Sequence, residues 1–166
     1  MKKADFDLLF PEGITSGQIT PYVHKGRWAV HEVLPILLDR SGPAIVRVAT
    51  FNISEDSLRP MFFLKEEGKI SDLRLLLDMN VKRHKLDILL FAANIADSVR
   101  ISSTHMKLIL VEGIFKCGLV GSANMNNNPR YEAGVAFTDT KMFDYYRDCF
   151  DQIFINDSLP FYGING

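Results

Sequence analysis

Residues 104 to 124 carry two strand-like runs that meet at a glycine, and no other segment constrains the chain as much. The first reads Thr104-His-Met-Lys-Leu-Ile-Leu-Val-Glu-Gly113 and the second Ile114-Phe-Lys-Cys-Gly-Leu-Val-Gly-Ser-Ala-Asn124. Side chains alternate across a strand with period two, so His105 and Lys107 share a face, and Ser122 and Asn124 share one as well. A type II′ turn at Gly113-Ile114, with glycine at a positive φ, pairs Glu112 with Phe115 and sets His105 opposite Ser122. A turn at Glu112-Gly113 slides the register by two and keeps all four polar side chains together; only an odd shift separates them. The same parity turns Glu112 to the opposite face.

An imidazole, an ammonium, a hydroxyl and a carboxamide on one sheet face are costly unless something anionic or wet is bound there. Phosphate suits all four. Lysine supplies a point charge, serine and asparagine supply neutral donors, and histidine attacks phosphorus or passes a proton. The next strand-like run, Tyr131-Glu-Ala-Gly-Val-Ala-Phe137, adds Glu132. Its carboxylate is expected to hold the His105 Nδ1–H and leave Nε2 reactive. Taken singly, His-x-Lys is ordinary on a solvated edge and Gly-Ser-x-Asn is an ordinary turn sequence. Their joint occurrence at even spacing, followed by a carboxylate, is what points to a site.

These residues resemble the motif of the phospholipase D superfamily, His-x-Lys-x4-Asp-x6-Gly-Ser-x-Asn with a later acidic residue that holds the histidine. His105, Lys107, Gly121, Ser122, Asn124 and Glu132 occupy the motif's functional positions. Glu112 stands where the motif has aspartate, and eight residues rather than six separate it from Gly121. The resemblance implies an α/β fold, a mixed β-sheet flanked by helices on both faces. It also implies two copies of the motif at one site, whereas this chain has one: His24, His31 and His84 lack a lysine two residues on. A homodimer with the site across its two-fold axis supplies the second.

The chemistry so implied is a phosphodiesterase working through a phosphohistidine on His105, with no metal and no cofactor. Lys107 and Asn124 hold the non-bridging oxygens, Glu132 orients the histidine, and Ser122, Gly121 and Arg130 line the substrate. Small size, one motif and no membrane-seeking helix favour nucleic acid as substrate. A net charge of −1 and a pI near 6.4 give that choice little support. The alternatives are a module that binds phosphate or nucleic acid without turnover, and a phospholipase or phosphatidyl transferase.

Length and punctuation bound the rest. The 166 residues, 47% hydrophobic, are expected to form one domain over 1–166. Cys117 and Cys149 read as reduced thiols, no run reaches ~18 apolar residues, and the cytoplasm is the expected location. Residues 1–25, broken by Pro11, Gly13, Gly17 and Pro21, read as an irregular lead-in with room for short strands. Helical spacing follows from Trp28 to Leu38, a strand over 44–51, and a helix capped by Ser54 that ends near Gly68. A strand over 73–77, a helix over 82–93 and a short strand over 99–102 precede the hairpin. A helix through Met142, Phe143, Tyr146, Phe150 and Phe154 follows Glu132. Lys82-Arg-His-Lys85 reads as a solvated helix start with a lesser prospect of contacting nucleic-acid backbone, Asp78 as a turn residue, and Trp28 as core. The apolar tail 156–166 is expected to dock on its own domain or on a dimer partner.

Overall fold

Leucine and valine dominate the central strands because those strands are covered on both faces. β2 (Ala44–Thr50), β3 (Ile70–Asp78) and β4 (Ser98–Ser102) run parallel and adjacent. The structure, a computed structural model, describes residues 3–127 and 129–163. Five further strands complete a mixed sheet: β1 (Ile19–Lys25), β5 (Lys107–Glu112), β6 (Lys116–Gly121), β7 (Tyr131–Phe137) and β8 (Leu159–Phe161). The order across it is β1-β7-β6-β5-β2-β3-β4-β8, and every pairing outside the central three is antiparallel.

Alternate positions along these strands feed two cores. On one face Val46, Val48, Leu73, Leu75 and Leu77 pack under α2 (Leu34–Ser41), α3 (Glu55–Glu66) and α5 (Leu86–Ile95). On the other, Ala49, Leu76, Leu108, Leu110 and Phe137 meet Phe143, Phe150 and Phe154 of α6 (Thr140–Asn156). Helices thus cover both faces of a mixed α/β sheet. Ions tie α6 down as well. Arg47, only 4% exposed, donates from Nη1 to Glu112 Oε2 at 2.7 Å and from Nε and Nη2 to Asp151 at 2.9 and 3.2 Å. Glu112, at the motif's aspartate position, is therefore engaged on the α6 face.

Four expectations need revision. The hairpin does not turn in two residues: Glu112 pairs with Lys116 and Leu108 with Val120, so Gly113, Ile114 and Phe115 form the connection and the register moves by an odd step. Gly113 has no positive φ. It is glycine because a Cβ there would strike the Ser41 carbonyl, which also accepts from Ile114 N at 3.0 Å; a contact distant in sequence sets the register. The lead-in is ordered, with α1 (Lys3–Leu9) and then β1, an edge strand where Pro21 costs little. The helix expected over 82–93 is two helices, α4 (Met79–His84) and α5, broken at Lys85 where φ is −144° and ψ 54°. Lys85 Nζ donates to Asn52 Oδ1 at 2.8 Å, so the basic run ends α4, where the helix dipole favours it, rather than starting a helix. The apolar tail docks on its own sheet, Phe161 pairing with Val99; residues 164–166 lie outside the described residues.

Candidate active site

Strand direction brings the candidate residues together. β1, β2, β3, β4 and β6 end where β5 and β7 begin, so their termini meet at one end of the sheet. There a cavity of about 590 Å³ is lined by His105, Lys107, Gly121, Ser122, Asn124, Arg130 and Glu132, and also by Phe51 and Tyr131. The size is that of a ligand pocket. His105, Ser122 and Asn124 lie just beyond the paired strands, in the connections. Hence the odd register does not scatter them, and they meet at the strand ends instead of on one face.

The chain before β5 is anchored from β3. Asp78, 4% exposed, accepts from Thr104 N at 3.0 Å with Oδ2, and from Asn80 N at 2.8 Å with Oδ1. It caps α4 and fixes the approach to His105, a larger role than the turn its sequence position suggested. The exposed His105 ring packs on Phe51, centroids 4.8 Å apart. Lys107 Nζ lies 2.9 Å from His105 Nδ1 and 3.2 Å from Nε2, donates to the His105 carbonyl at 2.7 Å, and sits 5.5 Å from the Phe51 ring centroid. Burial pushes the Lys107 ammonium below the usual lysine pKa, while the charges of Glu132 and Asp78 pull the other way.

Glu132, 7% exposed, accepts a hydrogen bond from Ser122 Oγ. Ser122 Oγ accepts in turn from Ala133 N at 3.1 Å, and Ser122 N donates to the Ala133 carbonyl at 2.9 Å. The carboxylate expected on His105 Nδ1 is thus engaged by Ser122, and Nδ1 faces Lys107. Asn124 is held through its neighbour: Met125 N donates to the Asn52 carbonyl at 3.1 Å, and the Met125 carbonyl accepts from Ser54 N at 3.0 Å and Ser57 Oγ at 2.6 Å. Its Oδ1 is buried with no hydrogen-bond partner among the described residues; the end of the carboxamide that can donate to a phosphate oxygen is Nδ2.

Tyr22 of β1 packs behind Gly121. Its hydroxyl stands where Cβ atoms on Gly121 and Gly134 would fall, so glycine at 121 serves this packing as well as lining the cavity. Burial, with the Glu132 charge nearby, pushes the Tyr22 phenol up to about 12 and keeps it neutral. Tyr22, Phe51 and Tyr131 were not singled out from the sequence. Phe51 is the last residue of a strand-like run that ends at the same edge as His105, and that was the available signal. Among the described residues no group of three or more His, Cys, Asp or Glu side chains is placed to hold a metal ion.

No family model and no curated protein matches the sequence. Solved structures match the fold. Nuc from Salmonella typhimurium, a phospholipase D family member, has a TM-score of 0.67 at 17% identity, over 88% of this chain and 100% of its own. NucT from Helicobacter pylori gives 0.66 at 14%, over 87% and 100%. Phosphatidylserine synthase from Haemophilus influenzae Rd KW20 gives 0.60 at 13%, over 86% of this chain but 39% of its own. With its mixed eight-stranded sheet and helices on both faces, the chain has the phospholipase D fold.

Proposed function

We propose that the protein is a phosphodiesterase acting on nucleic acid, with its site completed by a second copy of the chain. The observation that carries this reading is the convergence of His105, Lys107, Ser122, Asn124 and Glu132 on one open cavity. A His105 nitrogen attacks phosphorus and expels one ester oxygen, which takes a proton from His105 of the partner subunit. The phosphoramidate ester left on His105 is then attacked by water, which gives its proton to that same partner histidine, and the P–N bond breaks to release a phosphomonoester. Lys107 and Asn124 hold the non-bridging oxygens as charge gathers on them. Ser122 and Glu132 brace each other at the wall, and Arg130 extends the cationic mouth.

Two features support a nucleic acid over a lipid. The cavity is lined by polar, cationic and aromatic side chains, with no aliphatic one to receive an acyl chain, and no helix among the described residues is long and apolar enough to cross a membrane. A homodimer is supported by the single motif, and by Val23 and Tyr131, 69% and 74% exposed on the sheet face opposite His24 and Glu132, with Tyr131 also lining the cavity. The unpaired Cys117 and Cys149 suit a reducing cytoplasm. One observation favours a binding module without turnover: Lys107 Nζ rests against the His105 ring nitrogens that would have to react.

The test is cleavage in EDTA of single- and double-stranded DNA, RNA, bis(p-nitrophenyl) phosphate and phosphatidylcholine vesicles. Turnover of nucleic acid and of the activated diester, with vesicles intact, is expected. Lipid cleavage alone would replace the substrate, and nucleic-acid binding without any turnover would establish the module.

A further inference from the structure

The basic run of α4 takes no part in the mechanism above, yet hydrogen bonds tie both ends of that helix to the cavity wall. At its start the Asp78 cap accepts from Thr104 N, next to His105, at 3.0 Å. At its end Lys85 Nζ donates to Asn52 Oδ1, next to Phe51, at 2.8 Å, and the Asn52 carbonyl accepts from Met125 N, next to Asn124. Thr50 pairs with Lys107 on one side and Leu77 on the other. Leu77 therefore lies two strand spacings, roughly 10 Å, from Lys107, and α4 begins two residues on. The helix buries Val81; Lys82, Arg83 and His84 are exposed, with Arg83 on the side opposite Val81 at 3.6 residues per turn. The helix dipole does not account for all of this charge, since a C-terminus carries only about half a negative charge. Elsewhere Arg47, Lys65, Lys69, Arg74 and Arg147 each lie within 3.2 Å of a carboxylate. Among the described residues Lys82 and Arg83 have none within 4 Å. A net charge of −1 thus hides an uncompensated cationic stretch beside the cavity, the kind of local field that draws in a polyanion.

We propose that Lys82 and Arg83 form a second phosphate subsite, which binds the backbone of the same nucleic-acid strand whose scissile phosphate sits at His105. Phosphates along a duplex strand are spaced ~3.4 Å apart along the axis, so a strand running from the cavity toward α4 sets a phosphate there about three nucleotides from the scissile one. Contacts of this kind fix register and orientation and read no sequence. Lys85, held by Asn52, anchors the end of the helix and leaves the binding to its two neighbours. The effect on turnover rests on the phosphodiesterase reading; the effect on binding does not.

The test is the salt dependence of binding. A fluorescein-labelled oligonucleotide, single-stranded or duplex, is titrated in EDTA with the non-cleaving His105→Ala protein, with and without Lys82→Ala and Arg83→Ala together. Each phosphate contact contributes ~0.7 (single strand) to ~0.9 (duplex) to the slope of log K against log salt. Loss of both is expected to flatten that slope by about 1.4–1.8, so that between ~50 and ~200 mM salt the parent loses roughly 10-fold more affinity than the variant. Lys82→Arg with Arg83→Lys keeps the charge and is expected to keep the slope. Arg40→Ala with Lys141→Ala removes the same two charges at exposed positions, one before β2 begins and one after β7 ends, at the far end of the sheet, and is expected to leave the slope in place. In the cleaving protein, kcat/KM on the oligonucleotide is expected to fall on the order of 10-fold relative to that on bis(p-nitrophenyl) phosphate, which is too short to reach α4. An inactive wild type would end the phosphodiesterase reading and leave the binding titration to decide this subsite. No measurable binding of either oligonucleotide, an unchanged slope in the Lys82→Ala, Arg83→Ala protein, an equal loss in the far-end control, or loss of binding to phosphatidylglycerol vesicles with oligonucleotide binding unmoved would overturn the proposal.

Discussion

Arg47 offers a stability test worked from geometry. Its side chain is 5% exposed and its guanidinium makes three hydrogen bonds, one to Glu112 and two to Asp151. Arg47→Met keeps the bulk and removes the charge, leaving two carboxylates short of their nearest cation. Breaking a buried pair costs about 3–5 kcal/mol. The carboxylates here are 22% and 28% exposed, and each has another cation within 4 Å: Arg147 lies 3.7 Å and Lys116 3.8 Å from Glu112, Arg74 3.8 Å from Asp151. The low end applies, about 3 kcal/mol. At roughly 2–4 °C per kcal/mol for a chain of this length, Tm should fall by about 6–12 °C. Urea denaturation measures the change directly. In a double-mutant cycle, Arg47→Met with Glu112→Leu should cost less than the sum of the two singles, because the second change removes the orphaned acid. A loss below about 1 kcal/mol, or strict additivity, would refute the claim that this cluster anchors α6. Since Glu112 belongs to it, Glu112→Gln should weaken the fold and leave kcat close to wild type.

Lys107→Ala should lower kcat/KM by about 10²–10³, as expected for a principal stabiliser of transition-state charge. Because burial lowers the Lys107 pKa, the clamp loses its proton below the ordinary 10.5, so the pH–rate profile should bend down before that pH. The folded state binds fewer protons there than the unfolded one, and this group's contribution to stability rises with pH across that window; a profile flat to 10.5 contradicts it. Iodoacetamide should spare Cys117 in the native protein, since its thiol is fully buried and pushed up to about 12; modification of Cys117 at native rates would show that the core opens. Light scattering should give a dimer, and a strict monomer at micromolar concentration would leave the binding module.

Much of the fold was legible because burial imposes period. The doubly covered strands β2 and β3 announce themselves as apolar runs, and α6 as a stripe from Phe143 to Phe154. The hairpin was legible and its register was not, since the turn is settled by the Ser41 carbonyl some seventy residues upstream. Local signals were weaker at the lead-in, where proline and glycine left room for short strands only and hid the helix α1 and the seven-residue β1, whose place at the sheet edge tolerates Pro21. The candidate residues could be named because they lie in one short segment with a spacing rule. Phe51 in the cavity wall, Tyr22 behind Gly121 and the Thr104 anchor on Asp78 come from β1, β2 and β3 or their ends, and only the sheet order brings them there.

The most direct test of the account is to look for the covalent intermediate. The protein is mixed with a ³²P-labelled oligonucleotide in EDTA, quenched in alkaline denaturant within one turnover, and mapped by mass spectrometry. The account predicts an acid-labile phosphoramidate on His105, absent in His105→Ala, whose cleavage is abolished although its fold persists. Cleavage that survives His105→Ala, or a label on any other residue, would contradict it.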